Sequence, residues 1–72
     1  MFLNGYNNNL QEINLSKNSK LKYVDLSGNN ISKFNISKNI ELKVLKLSEN
    51  KIKSIDLSQN KKLEKLELID NK

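Results

Sequence analysis

Residues 42–62 read LKVLKLSENKIKSIDLSQNKK, two copies of L-x-x-L-x-L-x-x-N end to end, with Ile admitted at Leu positions. The first copy is Leu42, Leu45, Leu47, Asn50, and the second is Ile52, Ile55, Leu57, Asn60. One full repeat towards the amino terminus the pair recurs, as Leu21, Val24, Leu26, Asn29 and then Ile31, Phe34, Ile36, Asn39. Leu10, Ile13, Leu15, Asn18 precede these, and Leu63, Leu66, Leu68, Asn71 follow. Unit starts fall at Leu10, Leu21, Ile31, Leu42, Ile52 and Leu63, a longer step alternating with one shorter by a single position. With Leu3 included, this skeleton takes in most of the apolar side chains of the chain. A fixed period of this size marks a repeat architecture.

The spacing has a physical reading. In L-x-L the two side chains share one face of an extended strand. The Leu three positions ahead reaches the same core from the preceding bend. Asn then turns the chain, because its amide serves backbone groups that a buried bend leaves unpaired. The structural turns are therefore placed at Asn18, Asn29, Asn39, Asn50, Asn60 and Asn71. Ser stands two positions before Asn in Ser16, Ser27, Ser37, Ser48 and Ser58, and its hydroxyl is expected to add a second local turn bond. Burying a coil's skeleton side chains yields about 1.5–3 kcal/mol each. Ordering its backbone costs about 1–2 kcal/mol per residue. A lone coil does not hold together, so coils must stack. A half-unit as short as these has no room for both a strand and a useful helix. The expectation is a flattened, β-rich solenoid with parallel strands on one side and strand-like segments opposite.

Residues 10–71 resemble the leucine-rich repeat family, whose conserved segment is L-x-x-L-x-L-x-x-N. Residues 42–62 are similar to its bacterial subclass with nested half-repeats, sometimes called IRREKO, which commonly reads L-D-L in the second half, as Ile55-Asp56-Leu57 does. The resemblance implies a right-handed solenoid with little or no helix. It implies a little over three coils, each the length of 42–62, with first-half strands lining a concave face. It also implies recognition of partner proteins, in a subclass whose members are often secreted or on the cell surface. One domain over 1–72 is expected: a degenerate first coil at 1–20, coils at 21–41 and 42–62, and an incomplete last coil at 63–72. Gly5 stands where Leu26 stands one coil later, so the first coil is degenerate or carries an insertion near Tyr6-Asn7. Phe2, Leu3 and Tyr6 are expected to plug the amino-terminal end. The other end, lined by Leu63, Leu66 and Leu68, is expected to be open.

Composition narrows the function. The 72 residues contain neither Cys nor His, which removes disulfides, ordinary zinc sites, and the commonest general base and nucleophile. The serines sit at turns without a base partner, and two glycines do not build a phosphate-cradling loop. No cofactor and no catalysis are expected. No apolar run reaches the roughly 20 residues of a membrane span, and the first residues do not read as a signal peptide; the compartment is left open.

The net charge of +5 raises the question of nucleic acid, and its distribution argues against that partner. First-half units sum to −1, second-half units to +2, and bends and the last residue supply +4. Arg is absent and aromatics number four, so the donors and stacking platforms of nucleic-acid proteins are missing.

Stacking puts positions one full repeat apart side by side. Asp25, Lys46 and Glu67 then alternate in sign, as do Lys20, Glu41 and Lys62, and are expected to pair across coils. Tyr23 and Val44, off the skeleton, become neighbours with Lys65 next in line. The expected partner-binding strip is Tyr23, Asp25, Val44, Lys46, Lys65 and Glu67. The reading is a protein-interaction module. Its alternatives are self-association through end-to-end stacking of solenoid ends, or a fragment of a longer array.

Overall fold

The computed structural model describes residues 2–71; Met1 and Lys72, the ends of the expected domain, lie outside the described residues. Four three-residue strands, β1 (Phe2–Asn4), β2 (Tyr23–Asp25), β3 (Val44–Lys46) and β4 (Lys65–Glu67), form one parallel sheet in chain order. No helix occurs among the described residues. Each strand centres on the first apolar residue of the first-half L-x-L position, and the register advances by one repeat per strand: Leu3, Val24, Leu45 and Leu66 are aligned. The fold is a small β-rich solenoid of stacked parallel strands.

The skeleton makes the core. Val24, Leu26, Ile31, Leu42, Leu45 and Leu47 are 0% exposed, and Leu15, Leu21, Ile36 and Ile52 are also buried. Leu3, Leu10, Ile13, Phe34, Ile55, Leu57, Leu63 and Leu68 pack against them. Leu66 alone of the skeleton's apolar side chains is exposed, at 37%.

The second halves differ from expectation. No strand forms over residues 10–18, 31–39 or 52–60. Their backbone contacts between coils are confined to the unit starts, where Asn30 N donates to Leu10 O and Lys51 N to Ile31 O. Side chains capture the backbone instead. Ser16 N donates to Asn14 Oδ1 at 2.9 Å, Ser37 N to Asn35 Oδ1 at 2.9 Å and Ser58 N to Asp56 Oδ1 at 2.8 Å. Such local bonds compete with ladder formation. The contribution common to these serines is the backbone N–H. Ser37 adds a hydroxyl bond, to Asn35 Oδ1 at 2.8 Å.

The first coil contains no insertion. Gly5 N donates to Asp25 O and Asn7 N to Ser27 O, both at 2.8 Å, so the one-repeat offset runs unbroken through Tyr6-Asn7. Gly5 is buried, and a Cβ there would lie 2.6 Å from Leu26 Cδ2; the Leu26 side chain occupies the space a leucine would need. Nor do Phe2 and Tyr6 plug the end, since they are 62% and 55% exposed and only Leu3 faces the core. Strand alternation is the reason: with Leu3 inward, Phe2 points to the open face.

Candidate functional site

The open face of the sheet gathers all six residues of the expected strip. Tyr23, Val44 and Lys65 are aligned across β2, β3 and β4, and so are Asp25, Lys46 and Glu67 two positions further along. Between the two rows, Val24, Leu45 and Leu66 point to the opposite side. Tyr23, Asp25, Val44, Lys46 and Glu67 are half-buried, and Lys65 is exposed.

β1 lengthens both rows. Phe2 is aligned with Tyr23, and Asn4 with Asp25. The rings of Phe2 and Tyr23 stack with centroids 4.3 Å apart and planes 8° from parallel. The sequence signal for this was present, because Phe2 stands one full repeat before Tyr23. Assigning Phe2 to a terminal plug obscured it. The apolar part of the face is thus Phe2, Tyr23 and Val44 side by side.

The charged row does not pair as expected. Lys46 Nζ lies 5.6 Å from the centroid of the Tyr23 ring, over its face, a geometry in which the ring quadrupole attracts the ammonium. Hydrogen bonding to Tyr23 raises the Lys46 pKa above its ordinary value, followed by the charge of Tyr23, with Glu67 and Asp25 adding to it. The one ion pair among the described residues joins Lys65 Nζ and Glu67 Oε2 at 3.3 Å, within β4. Asp25 Oδ1 accepts from Ser27 N at 3.1 Å, which ties that carboxylate to its own turn. Among the described residues Lys20, Glu41 and Lys62 form no ion pair either. The neighbouring ring and the backbone outcompete a cross-strand partner, since exposed ion pairs contribute only about 0–1 kcal/mol.

The Asn turns hold the face in register. Asn50 Nδ2 donates to Leu26 O in the preceding coil at 2.9 Å and to Leu47 O at 3.0 Å, while its Oδ1 accepts from Ile31 N at 3.0 Å. Asn29 repeats this with Gly5 O and Leu26 O as acceptors, and its Oδ1 receives Asn8 N and Leu10 N. Asn71 repeats it with Leu47 O, Leu68 O and Ile52 N. The second-half Asn residues form a weaker series. Asn39 Nδ2 reaches Leu15 O and Asn18 O, and Asn60 Nδ2 reaches Ile36 O and Asn39 O, but both Oδ1 atoms are buried without a partner. Asn18 is exposed and contributes its backbone, donating to Leu15 O and accepting from Leu21 N.

Chemically the face offers aromatic and aliphatic surface bordered by charges already engaged with their own neighbours. Among the described residues no three metal-ligating side chains cluster, and no helix is long and apolar enough to cross a membrane. No curated protein and no solved structure matches the chain. A family model described as Leucine Rich repeat matches residues 17–33, the stretch that carries β2 and its turn, and this match, with the helix-free parallel stack around it, supports a leucine-rich repeat protein.

Proposed function

We propose that this chain is a non-catalytic protein-interaction module and that the open sheet face is its binding surface. The observation that carries the reading is the stacked Phe2–Tyr23 pair continued by Val44 on a face whose polar groups are largely satisfied internally. Aromatic residues on a rigid strand offer large contact area at small entropic cost, and Tyr is enriched at binding hot spots. Asp25, Lys46, Lys65 and Glu67 border this surface and would set orientation. A three- or four-strand face of this length offers on the order of 300 Å², against about 800 Å² per partner in a standard interface. The fitting partner is therefore one that inserts a projecting apolar segment, or one that also grips other coils of a longer array.

A photoreactive side chain placed at Val44, in cells producing the protein, tests this. A discrete protein adduct that disappears with Tyr23→Ala is the expected result. If no adduct forms, or the adduct is indifferent to Tyr23→Ala, the face is not the binding surface.

One observation favours a second reading, association with another copy. Following the bonding pattern of the inner coils, Leu68 N and Asp70 N point off the outer edge of β4, and Asn4 O and Tyr6 O off that of β1. Donors on one edge match acceptors on the other, beside the exposed Leu66 and Ile69. The same edges would carry further coils in a longer array.

A further inference from the structure

Away from the sheet, the second-half segments of the first two coils border an open groove of about 610 Å³. Ile13 and Phe34, both half-buried, supply its apolar surface. Asn14 and Asn35 stand one coil apart along it. Each uses its Oδ1 to accept the N–H of the serine two positions on, at 2.9 Å in both cases. The acceptor end of each carboxamide is thereby committed to a turn. The Nδ2 end, with two N–H donors, makes no hydrogen bond among the described residues. Lys33 and Lys38 add two exposed ammonium groups, and Glu12 is the only carboxylate in the lining.

The third coil shows what distinguishes this groove. Asp56 occupies the place of Asn14 and Asn35 and makes the same turn, to Ser58 N at 2.8 Å. Ser58, through its hydroxyl and then its backbone N–H, holds the Asp56 carboxyl below the usual carboxylate range. The fold therefore accepts either residue at this position. Amide donors line the first groove, and a carboxylate marks the next coil.

We propose that the Asn14–Asn35 groove docks an extended acidic segment of a partner protein. Its carboxylates would accept from Asn14 Nδ2 and Asn35 Nδ2 and sit near Lys33 and Lys38, while an adjacent apolar side chain rests on Phe34 and Ile13. Charge-assisted hydrogen bonds to carboxylates are about twice as strong as neutral ones, which favours an anionic acceptor over a neutral amide. Glu12 accepts a backbone N–H of the peptide. A nucleic-acid backbone would set its phosphates against the same carboxylate, and one half-buried aromatic with no Arg is a poor base platform. This site is separate from the sheet face and does not depend on it.

The test is a titration of the ¹⁵N-labelled protein with three probes: an octapeptide alternating Glu and Leu, its Gln/Leu counterpart, and a single-stranded oligonucleotide. The acidic peptide should shift the side-chain amide signals of Asn14 and Asn35, with little response to the Gln version. Replacing both residues, Asn14→Asp with Asn35→Asp, should weaken binding at least tenfold with an unchanged circular dichroism spectrum. If that variant fails to fold, Lys33→Gln with Lys38→Gln should weaken binding severalfold. The proposal is overturned by an absence of shifts at millimolar acidic peptide, by equal response to the Gln peptide, or by shifts confined to β2–β4. Binding of the oligonucleotide in preference to the peptide overturns it in favour of a phosphate ligand.

Discussion

The residue that bears the most backbone strain is Glu49. Asn7, Gly28, Glu49 and Asp70, one repeat apart, all adopt a left-handed backbone, with φ of 60°, 73°, 57° and 61°. The repeat demands this conformation after every first-half strand. Gly adopts it freely and Asn and Asp tolerate it, but Glu has no such allowance. Glu49 is exposed and its side chain makes no ion pair among the described residues. Glu49→Gly should therefore relieve about 1–2 kcal/mol of left-handed strain against about 0.5–1 kcal/mol of added chain entropy, a net stabilisation of about 0.5–1 kcal/mol. Thermal denaturation should show a midpoint a few degrees higher; a lower midpoint would refute the strain argument. The Asn series permits a sharper comparison. If Asn50 is replaced by Ala, Leu26 O and Leu47 O keep other donors, Asn29 and Asn71, but the buried Ile31 N is orphaned. If Asn60 is replaced, Ile36 O and Asn39 O keep Asn39 N and Leu42 N, and no group is orphaned. Urea unfolding should find Asn50→Ala more costly than Asn60→Ala by about 1–3 kcal/mol. Equal costs would mean that Ile31 N finds another acceptor. The sequence motif writes Asn identically in both halves, so this difference was not legible in it. Which Oδ1 meets a partner depends on how the backbone of the previous coil passes beneath.

At the scale of elements, the two halves of each coil carry nearly the same motif yet hold the stack differently. The first halves are bonded strand to strand, with Leu26 N on Lys46 O at 2.8 Å and Leu47 N on Glu67 O at 2.8 Å. The second halves bury apolar side chains without a ladder, their backbones turned by Asn14, Asn35 and Asp56. Hydrogen exchange should separate them. The amides of Leu26, Lys43 and Leu47 should exchange only on substantial unfolding, whereas those of Phe34 and Asn35 should exchange orders of magnitude faster. Uniform protection would mean that the halves bond alike. Period and apolar spacing made the sheet, its parallel order and its register legible, because each skeleton position fixes which way its neighbours face. Columns of aligned residues followed from the same arithmetic, which extends Tyr23 and Val44 to Phe2. The contacts made within those columns did not follow. Lys46 has several partners within reach of its long side chain, and it lies over Tyr23 while Asp25 serves its own turn.

At the scale of the whole molecule, each coil rests only on its neighbours, so the value of one position depends on how many coils flank it. The column Val24, Leu45, Leu66 shows the gradient, at 0%, 0% and 37% exposure. A charge at Leu45 would lie between two coils in a dry core, where an unpaired ammonium is prohibitively costly. A charge at Leu66 has solvent on its outer side. Leu45→Lys should abolish cooperative unfolding, while Leu66→Lys should leave a folded chain with a lower denaturation midpoint. Sedimentation equilibrium of the wild type and of Leu66→Lys then decides between the two readings of function. If copies associate edge to edge through β4, the wild type gains mass with concentration and Leu66→Lys stays monomeric, because lysine charges the surface beside the unpaired Leu68 and Asp70 amides. A wild type that is monomeric and folded throughout removes self-association and leaves the Phe2–Tyr23–Val44 face as the proposed binding surface for a different protein.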